Sequence, residues 1–146
     1  MKLSTKGRYG VKSVLDLAIH YNKEHVSIKS IAERIHVSEY YLEQLFSQLR
    51  KAGIIKSIRG AHGGYTLSRP PNEITVYDIM DVLEGSIEIS DCIEETTCNN
   101  IDCCATRLLW IRFKESIDNV LKSTTLQDMV DDYNKIKKVK DGANDE

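Results

Sequence analysis

Long apolar runs are missing from this 146-residue sequence: the longest, Leu108 to Ile111, is four residues, against roughly 20 for a membrane-spanning helix. The opening MKLSTKGRYG lacks the apolar h-region of a secretory signal. Both absences predict a soluble, cytoplasmic protein with no membrane association. Cysteine is absent outside residues 92–104, where all 4 fall. Such a cluster is badly distributed for stapling a fold of this size by disulfides, and it points to a ligand site. No Ser/His/Asp order and no paired carboxylates in an apolar setting can be picked out. Gly60-Ala61-His62-Gly63-Gly64 lacks the G-x-x-x-x-G-K-[ST] order of a phosphate loop and opens no helix. Neither an enzyme nor a small-molecule substrate is expected.

What is present is 41% apolar and 29% charged residues, globular proportions for about one domain with room for an extension. The formal net charge of −2 conceals a partition. Residues 1–71 hold 12 Lys and Arg against 5 Asp and Glu, a balance of +7, whereas residues 72–146 hold 8 against 17, a balance of −9. A basic half joined to an acidic half suits a polyanion-binding module with a separate sensing or assembly module. Uneven surface charge without functional meaning is the plainer alternative.

Val11, Val14, Leu15, Ala18 and Ile19 form one stripe of an amphipathic helix over about 4–22. Ser27 can cap a short helix striped by Ile28, Ile31, Ala32 and Ile35, and Ser38 another striped by Leu42, Leu45, Phe46 and Leu49, which Gly53 ends. The three residues between them force a sharp turn, as in a helix-turn-helix. Ile54–Ile58 and Tyr65–Ser68 then read as β-runs around the glycine-rich tip 59–64. Arg69-Pro70-Pro71 reads as a linker. Thr75 with Asp78 opens a fourth helix that Gly85 stops, Trp110, Phe113, Ile117, Val120 and Leu121 stripe a long helix over about 105–122, and Thr125 with Asp128 opens a last one. The fold class is mainly α: a winged helix-turn-helix with a β-hairpin wing (1–71), a connecting helix (72–85), a cysteine loop (86–104), a long dimerisation helix with a C-terminal helix (105–134) and a polar tail (135–146).

With its apolar stripe turned inward, the third helix presents Glu39, Tyr40, Glu43, Gln44, Ser47, Gln48 and Lys51. Gln44 can read adenine N6 and N7, Glu43 can accept from cytosine N4, and Tyr40 can meet a phosphate or a thymine methyl. An ordinary solvated face is the alternative. Lys2, Lys6, Arg8, Lys12, Lys29, Arg34, Arg50, Lys51, Lys56, Arg59 and Arg69 surround that helix and supply non-specific affinity through counterion release. Arg59 opens the wing tip, where a guanidinium can enter the minor groove or hold a phosphate. The expected partner is a double-stranded DNA operator. His20, His25, His36 and His62 all lie in this half and are expected in packing or on the surface.

Cys92, Cys98 and Cys104 are spaced C-x5-C-x5-C, with Cys103 beside the last, among Asp91, Glu94, Glu95 and Asp102. Thiolates select zinc, copper(I) or iron-sulfur clusters, and a loop can wrap a cluster that needs ligands on several irons. The tight C-x2-C pairs usual in zinc knuckles are absent. An iron-sulfur cluster ranks first, zinc second and a thiol redox switch third.

The opening Leu3-Ser4-Thr5-Lys6-Gly7-Arg8-Tyr9, the segment Tyr41-Leu42-Glu43-Gln44-Leu45-Phe46-Ser47, the wing Ser57-Ile58-Arg59-Gly60 with Gly63-Gly64-Tyr65, and the three spaced cysteines together resemble the IscR-like iron-sulfur cluster regulators, over about residues 1–133. That winged-helix family also includes CymR-type cysteine-metabolism repressors, similar over the first 85 residues, and NsrR-type nitric-oxide sensors, which share the cysteine loop. The resemblance implies a homodimeric repressor or dual regulator of cluster-assembly genes. It implies a 2Fe-2S cluster, in preference to 4Fe-4S, on Cys92, Cys98 and Cys104 of each subunit, and Glu43, Gln44 and Arg59 at the DNA. IscR-like proteins take a histidine three residues after the last cysteine as fourth ligand, and here Arg107 stands there. A guanidinium stays protonated and makes a poor iron ligand, which leaves Cys103, Asp102 or a partner-subunit residue, with Cys103 chemically easiest. NsrR-type proteins take an N-terminal aspartate, where this chain has Arg8 and no aspartate before Asp16.

Cluster occupancy is expected to order residues 86–105 and so set the spacing of two recognition helices, whose half-sites lie about 34 Å apart. A coupling of about 1–3 kcal/mol makes a useful switch. The dimer seam is expected at Trp110, Phe113, Ile117 and Leu121, against the alternative that this stripe is intrachain core. A reading from another class makes the chain a metal or redox interaction module without DNA binding.

Overall fold

A computed structural model describes residues 3–90, 93 and 104–144; the expectations for Lys2, Cys92, Cys98, Asp102 and Cys103 lie outside the described residues. Helix α1 (Thr5–Ile19) begins at Ser4, whose hydroxyl accepts the Gly7 N–H at 3.3 Å. It ends earlier than its stripe suggests, because Asn22 takes a left-handed φ of 62° and turns the chain. Ser27 and Ser38 cap α2 (Ile28–Ile35) and α3 (Glu39–Lys51) as expected, accepting from Ser30 and Tyr41 N–H at 3.2 and 3.1 Å. The turn between them is made by His36 in the left-handed region, φ 60° and ψ 50°. Gly53, φ +79°, then releases α3 into the wing.

Strands β1 (Ile55–Ile58) and β2 (Gly64–Leu67) pair antiparallel, Ile55 opposite Leu67 and Ile58 opposite Gly64. The hairpin is anchored on one side by Val26, which exchanges two backbone hydrogen bonds with Tyr65 at 3.0 and 2.8 Å. That approach needs glycine at 64, since a Cβ there would lie 2.6 Å from the Val26 carbonyl oxygen.

Residues 69–71 are not a free linker. Pro71 is buried at the start of a 3-10 turn (Pro71–Glu73), Ile74 is 0% exposed, and the chain then pairs with residues 124–126. Val76 N–H donates to Thr124 O and Leu126 N–H to Ile74 O, both at 2.9 Å. Burying Ile74 and Leu126 together draws Pro71 into the core, while Pro70 stays exposed. Helix α4 (Val76–Glu84) starts with the expected capping box, Thr75 N–H to Asp78 at 2.9 Å and Asp78 N–H to Thr75 Oγ1 at 3.2 Å. Helices α5 (Ala105–Ser123) and α6 (Leu126–Asn144) follow. The polar tail is a correction as far as the described residues go: α6 continues to Asn144, because Ile136 and Val139 extend the line of Met129, Val130 and Tyr133 at helical spacing and nothing before Gly142 breaks it.

One buried cluster, including Val14, Leu17, Ile31, Leu42, Phe46, Leu67, Ile74, Ile79 and Leu126, joins the basic and acidic halves. No described helix is long and apolar enough to cross a membrane.

Candidate nucleic-acid interface and cysteine segment

Helix α3 buries Leu42, Leu45, Phe46 and Leu49 and leaves Glu39, Tyr40, Glu43, Gln44 and Lys51 of the expected outward face exposed, with Arg50 exposed as well. Ser47 and Gln48 are half-buried. Tyr65 on the wing stacks edge-on to Phe46, centroids 4.9 Å apart, which fixes the hairpin to the recognition helix. At the wing tip Gly63 N–H donates to Gly60 O at 3.0 Å, Gly60 takes φ +118°, and Arg59 is exposed. On α1, Arg8 is exposed with its guanidinium 6.0 Å from the Tyr9 ring centre, and Lys6 is half-buried. No ion pair among the described residues engages Lys6, Arg8, Arg50 or Arg59.

Two of the expected basic residues are instead held internally. Arg34 donates from Nε and Nη2 to the two carboxylate oxygens of Asp16, each at 2.7 Å, and this bidentate bond raises its pKa further above the ordinary guanidinium value. Asp16 also sits 3.4 Å from His20 Nδ1, whose stronger contact is the Asp16 carbonyl at 2.7 Å. Arg69 Nη2 reaches Asp78 at 3.7 Å. The signal for the first pair was Asp16 itself, the one acid within an otherwise apolar stretch of α1.

Helices α1 and α4 meet closely. A Cβ on Gly7 would lie 2.9 Å from Met80 Sδ, and one on Gly10 would overlap Leu83 Cδ1. The Gly7 N–H also donates to Glu84 Oε1 at 2.8 Å. The Gly-x-x-Gly spacing on α1 was the available sign of this contact, which the sequence reading missed.

Cys104, half-buried, is the N-cap residue of α5 with its Sγ 3.0 Å from Thr106 Oγ1. The Thr106 hydroxyl, with help from the Arg107 N–H and guanidinium charge, holds its thiol below the ordinary value. That favours the thiolate, the form that ligates metals, so the described member of the cysteine set fits a thiolate-bound iron site. Among the described residues no three His, Cys, Asp or Glu converge as a metal site. Arg107 lies half-buried on the first turn of α5.

Helix α5 has no buried residue. Trp110 and Phe113 are 38% and 40% exposed, and Leu108, Leu109 and Val120 more so. Ile117 and Leu121 are half-buried. Part of the stripe is thus open in the single chain, whereas Ile117 and Leu121 lie beside α4 residues such as Met80.

The family model named Rrf2, described as an iron-dependent transcriptional regulator, matches residues 3–132. The chain is similar to the HTH-type transcriptional regulator CymR of Bacillus subtilis, 48% identical over 129 residues that cover 88% of this chain and 89% of that one. It is also similar to the HTH-type transcriptional regulator IscR of Pectobacterium atrosepticum, 39% identical over 130 residues, 89% and 79% of the two chains. Among solved structures it matches CymR, the global cysteine regulator of B. subtilis, with TM-score 0.77 at 46% identity over 90% of this chain and 97% of that one. It matches T. potens IscR with TM-score 0.76 at 49% identity, over 91% and 88%. These relatives are regulators of transcription and not enzymes, and they carry the winged-helix fold expected from the sequence. The chain belongs to the Rrf2 family of transcriptional regulators.

Proposed function

We propose that the protein is a homodimeric repressor whose cysteine segment holds a 2Fe-2S cluster and whose operator affinity depends on that cluster. The observation that carries the cluster reading is Cys104, a thiolate-favouring residue at the head of α5, which completes the C-x5-C-x5-C spacing of the sequence. Cys92, Cys98 and Cys104 hold the irons, with Cys103 as fourth ligand, since Arg107 cannot serve. When bound, the cluster supplies a redox-sensitive crosslink between these positions.

At the DNA, Gln44 and Glu43 meet base edges in the major groove, and Tyr40 a phosphate or thymine methyl. Lys6, Arg8 and Arg50 neutralise phosphates, and Arg59 reaches the minor groove from the wing. The exposed Trp110 and Phe113, continued by Ile117 and Leu121, are covered by the same face of a second copy. That sets the distance between two recognition helices on one operator.

A second reading, a cysteine-metabolism repressor without a cluster, is favoured by the 48% identity to CymR; the three spaced cysteines argue for the first. Fluorescence anisotropy on duplex DNA, titrated with salt, tests DNA binding. A steep linear fall of log K with log salt is expected, with Arg59→Ala reducing the slope by about 1. Salt-independent binding, or none, would refute a DNA-binding role and leave a metal or redox interaction module.

A further inference from the structure

We propose that Glu84 is the positioning residue through which the cysteine segment acts on the DNA-reading half, by holding the first turn of α1 in place; this rests on the reading above of cluster-dependent DNA binding. Glu84 is the last residue of α4, and its Oε1 accepts the Gly7 N–H at 2.8 Å, across 77 positions of sequence. The same N–H is shared at 3.3 Å with Ser4 Oγ. Helix α1 has no acidic residue in its own first turn, so this carboxylate faces the positive end of the helix dipole. A charge-assisted bond of that kind is roughly twice as strong as a neutral one.

Glycine at position 7 eases this approach: a Cβ there would lie 2.9 Å from Met80 Sδ and 3.0 Å from Glu84 Oε1. The turn it holds also carries Lys6 and Arg8, two of the groups assigned to DNA phosphates. On its other side Glu84 is one residue from Gly85, where φ of +74° ends the helix, and residues 86–90 lead from there to the first cysteine. A cavity of about 270 Å³, lined by Leu3, Ser4, Glu84, Ser86, Ile87 and Ile117 among others, adjoins the junction. It gives the carboxylate somewhere to withdraw. The proposed switch is withdrawal of Glu84 from Gly7 into that space, driven by the segment that begins two residues later.

The test uses the full chain as wild type, Glu84→Ala and Glu84→Gln, each reconstituted anaerobically with iron and sulfide and each metal-free. The readouts are operator affinity by anisotropy and hydrogen exchange of the peptide spanning residues 4–10. In the wild type the two forms are expected to differ at least fivefold in affinity and to differ in protection of the Gly7 amide. In Glu84→Ala both differences vanish, whereas Glu84→Gln, whose amide oxygen still accepts from Gly7, keeps a reduced ratio. A merely structural role would lower both affinities together and leave their ratio intact. A wild-type ratio retained in Glu84→Ala overturns the proposal alone; a wild-type ratio of one overturns the switch reading and the proposal with it. Should Glu84→Ala not fold, as judged by circular dichroism, a wild-type ratio in Glu84→Gln overturns the proposal.

Discussion

Replacing Arg34 by alanine separates a structural guanidinium from one that meets DNA. The substitution removes both 2.7 Å bonds to Asp16 and leaves a carboxylate only 11% exposed, with the His20 ring beside it at 3.4 Å. Breaking a fully buried pair by deleting one partner costs about 3–5 kcal/mol. Here the Arg34 side chain is 43% exposed, so solvent screens the pair and relieves part of that cost, which brings the expected loss to about 1–2 kcal/mol. For a chain of this length that lowers Tm by roughly 3–8 °C, read by circular dichroism melting. Asp16→Asn alone should lose a similar amount, and the double variant less than the two together, since both break one interaction. The salt slope of DNA binding should stay at its wild-type value in Arg34→Ala. An unchanged Tm with a slope reduced by about 1 would refute the assignment and return Arg34 to the DNA surface.

Gly10→Ala drives a Cβ into Leu83, which is 5% exposed, and should cost about 1–3 kcal/mol in urea denaturation; a wild-type midpoint would mean that the α1–α4 contact is looser than described. Trp110→Glu with Phe113→Glu should convert a dimer to a monomer in light scattering with little loss of helix signal, because the two side chains are 38% and 40% exposed in the single chain. A dimer that persists would place the seam elsewhere. In the metal-free protein Cys104 should be alkylated by iodoacetamide at pH values below those needed by ordinary thiols, with the profile moving up in Thr106→Val, as mapped by mass spectrometry. An ordinary thiol profile would show that Thr106 does not support the thiolate.

The elements that could be read from the sequence are those set by local rules. Ser27, Ser38, the Thr75–Asp78 pair and the Thr125–Asp128 pair each cap a helix where they stand, because capping spans only three residues. The outward face of α3 was legible for the same reason: once Leu42, Phe46 and Leu49 turn inward, Tyr40 and Gln44 have nowhere else to go. Contacts between distant segments were not. Pro71 looks like a linker residue until Ile74 is seen bonded to Leu126. Arg34 looks like a DNA contact until Asp16 is seen one helix away, and Gly7 looks incidental until α4 lies on it. The α5 stripe illustrates a further limit, since apolar spacing is identical for a core helix and a dimer seam, and the partial exposure of Trp110 and Phe113 could not be read from it. The lysines around Ile136 and Val139 masked the continued period of α6.

Iron and acid-labile sulfide analysis after anaerobic purification, with an absorption spectrum, tests most directly whether the cysteine segment is an iron-sulfur sensor. About two irons and two sulfides per chain are expected, abolished in each of Cys92→Ala, Cys98→Ala and Cys104→Ala, and lost in Cys103→Ala if that residue is the fourth ligand. Zinc, no metal, four irons per chain, or a cluster that survives removal of any of the first three cysteines would contradict the assignment.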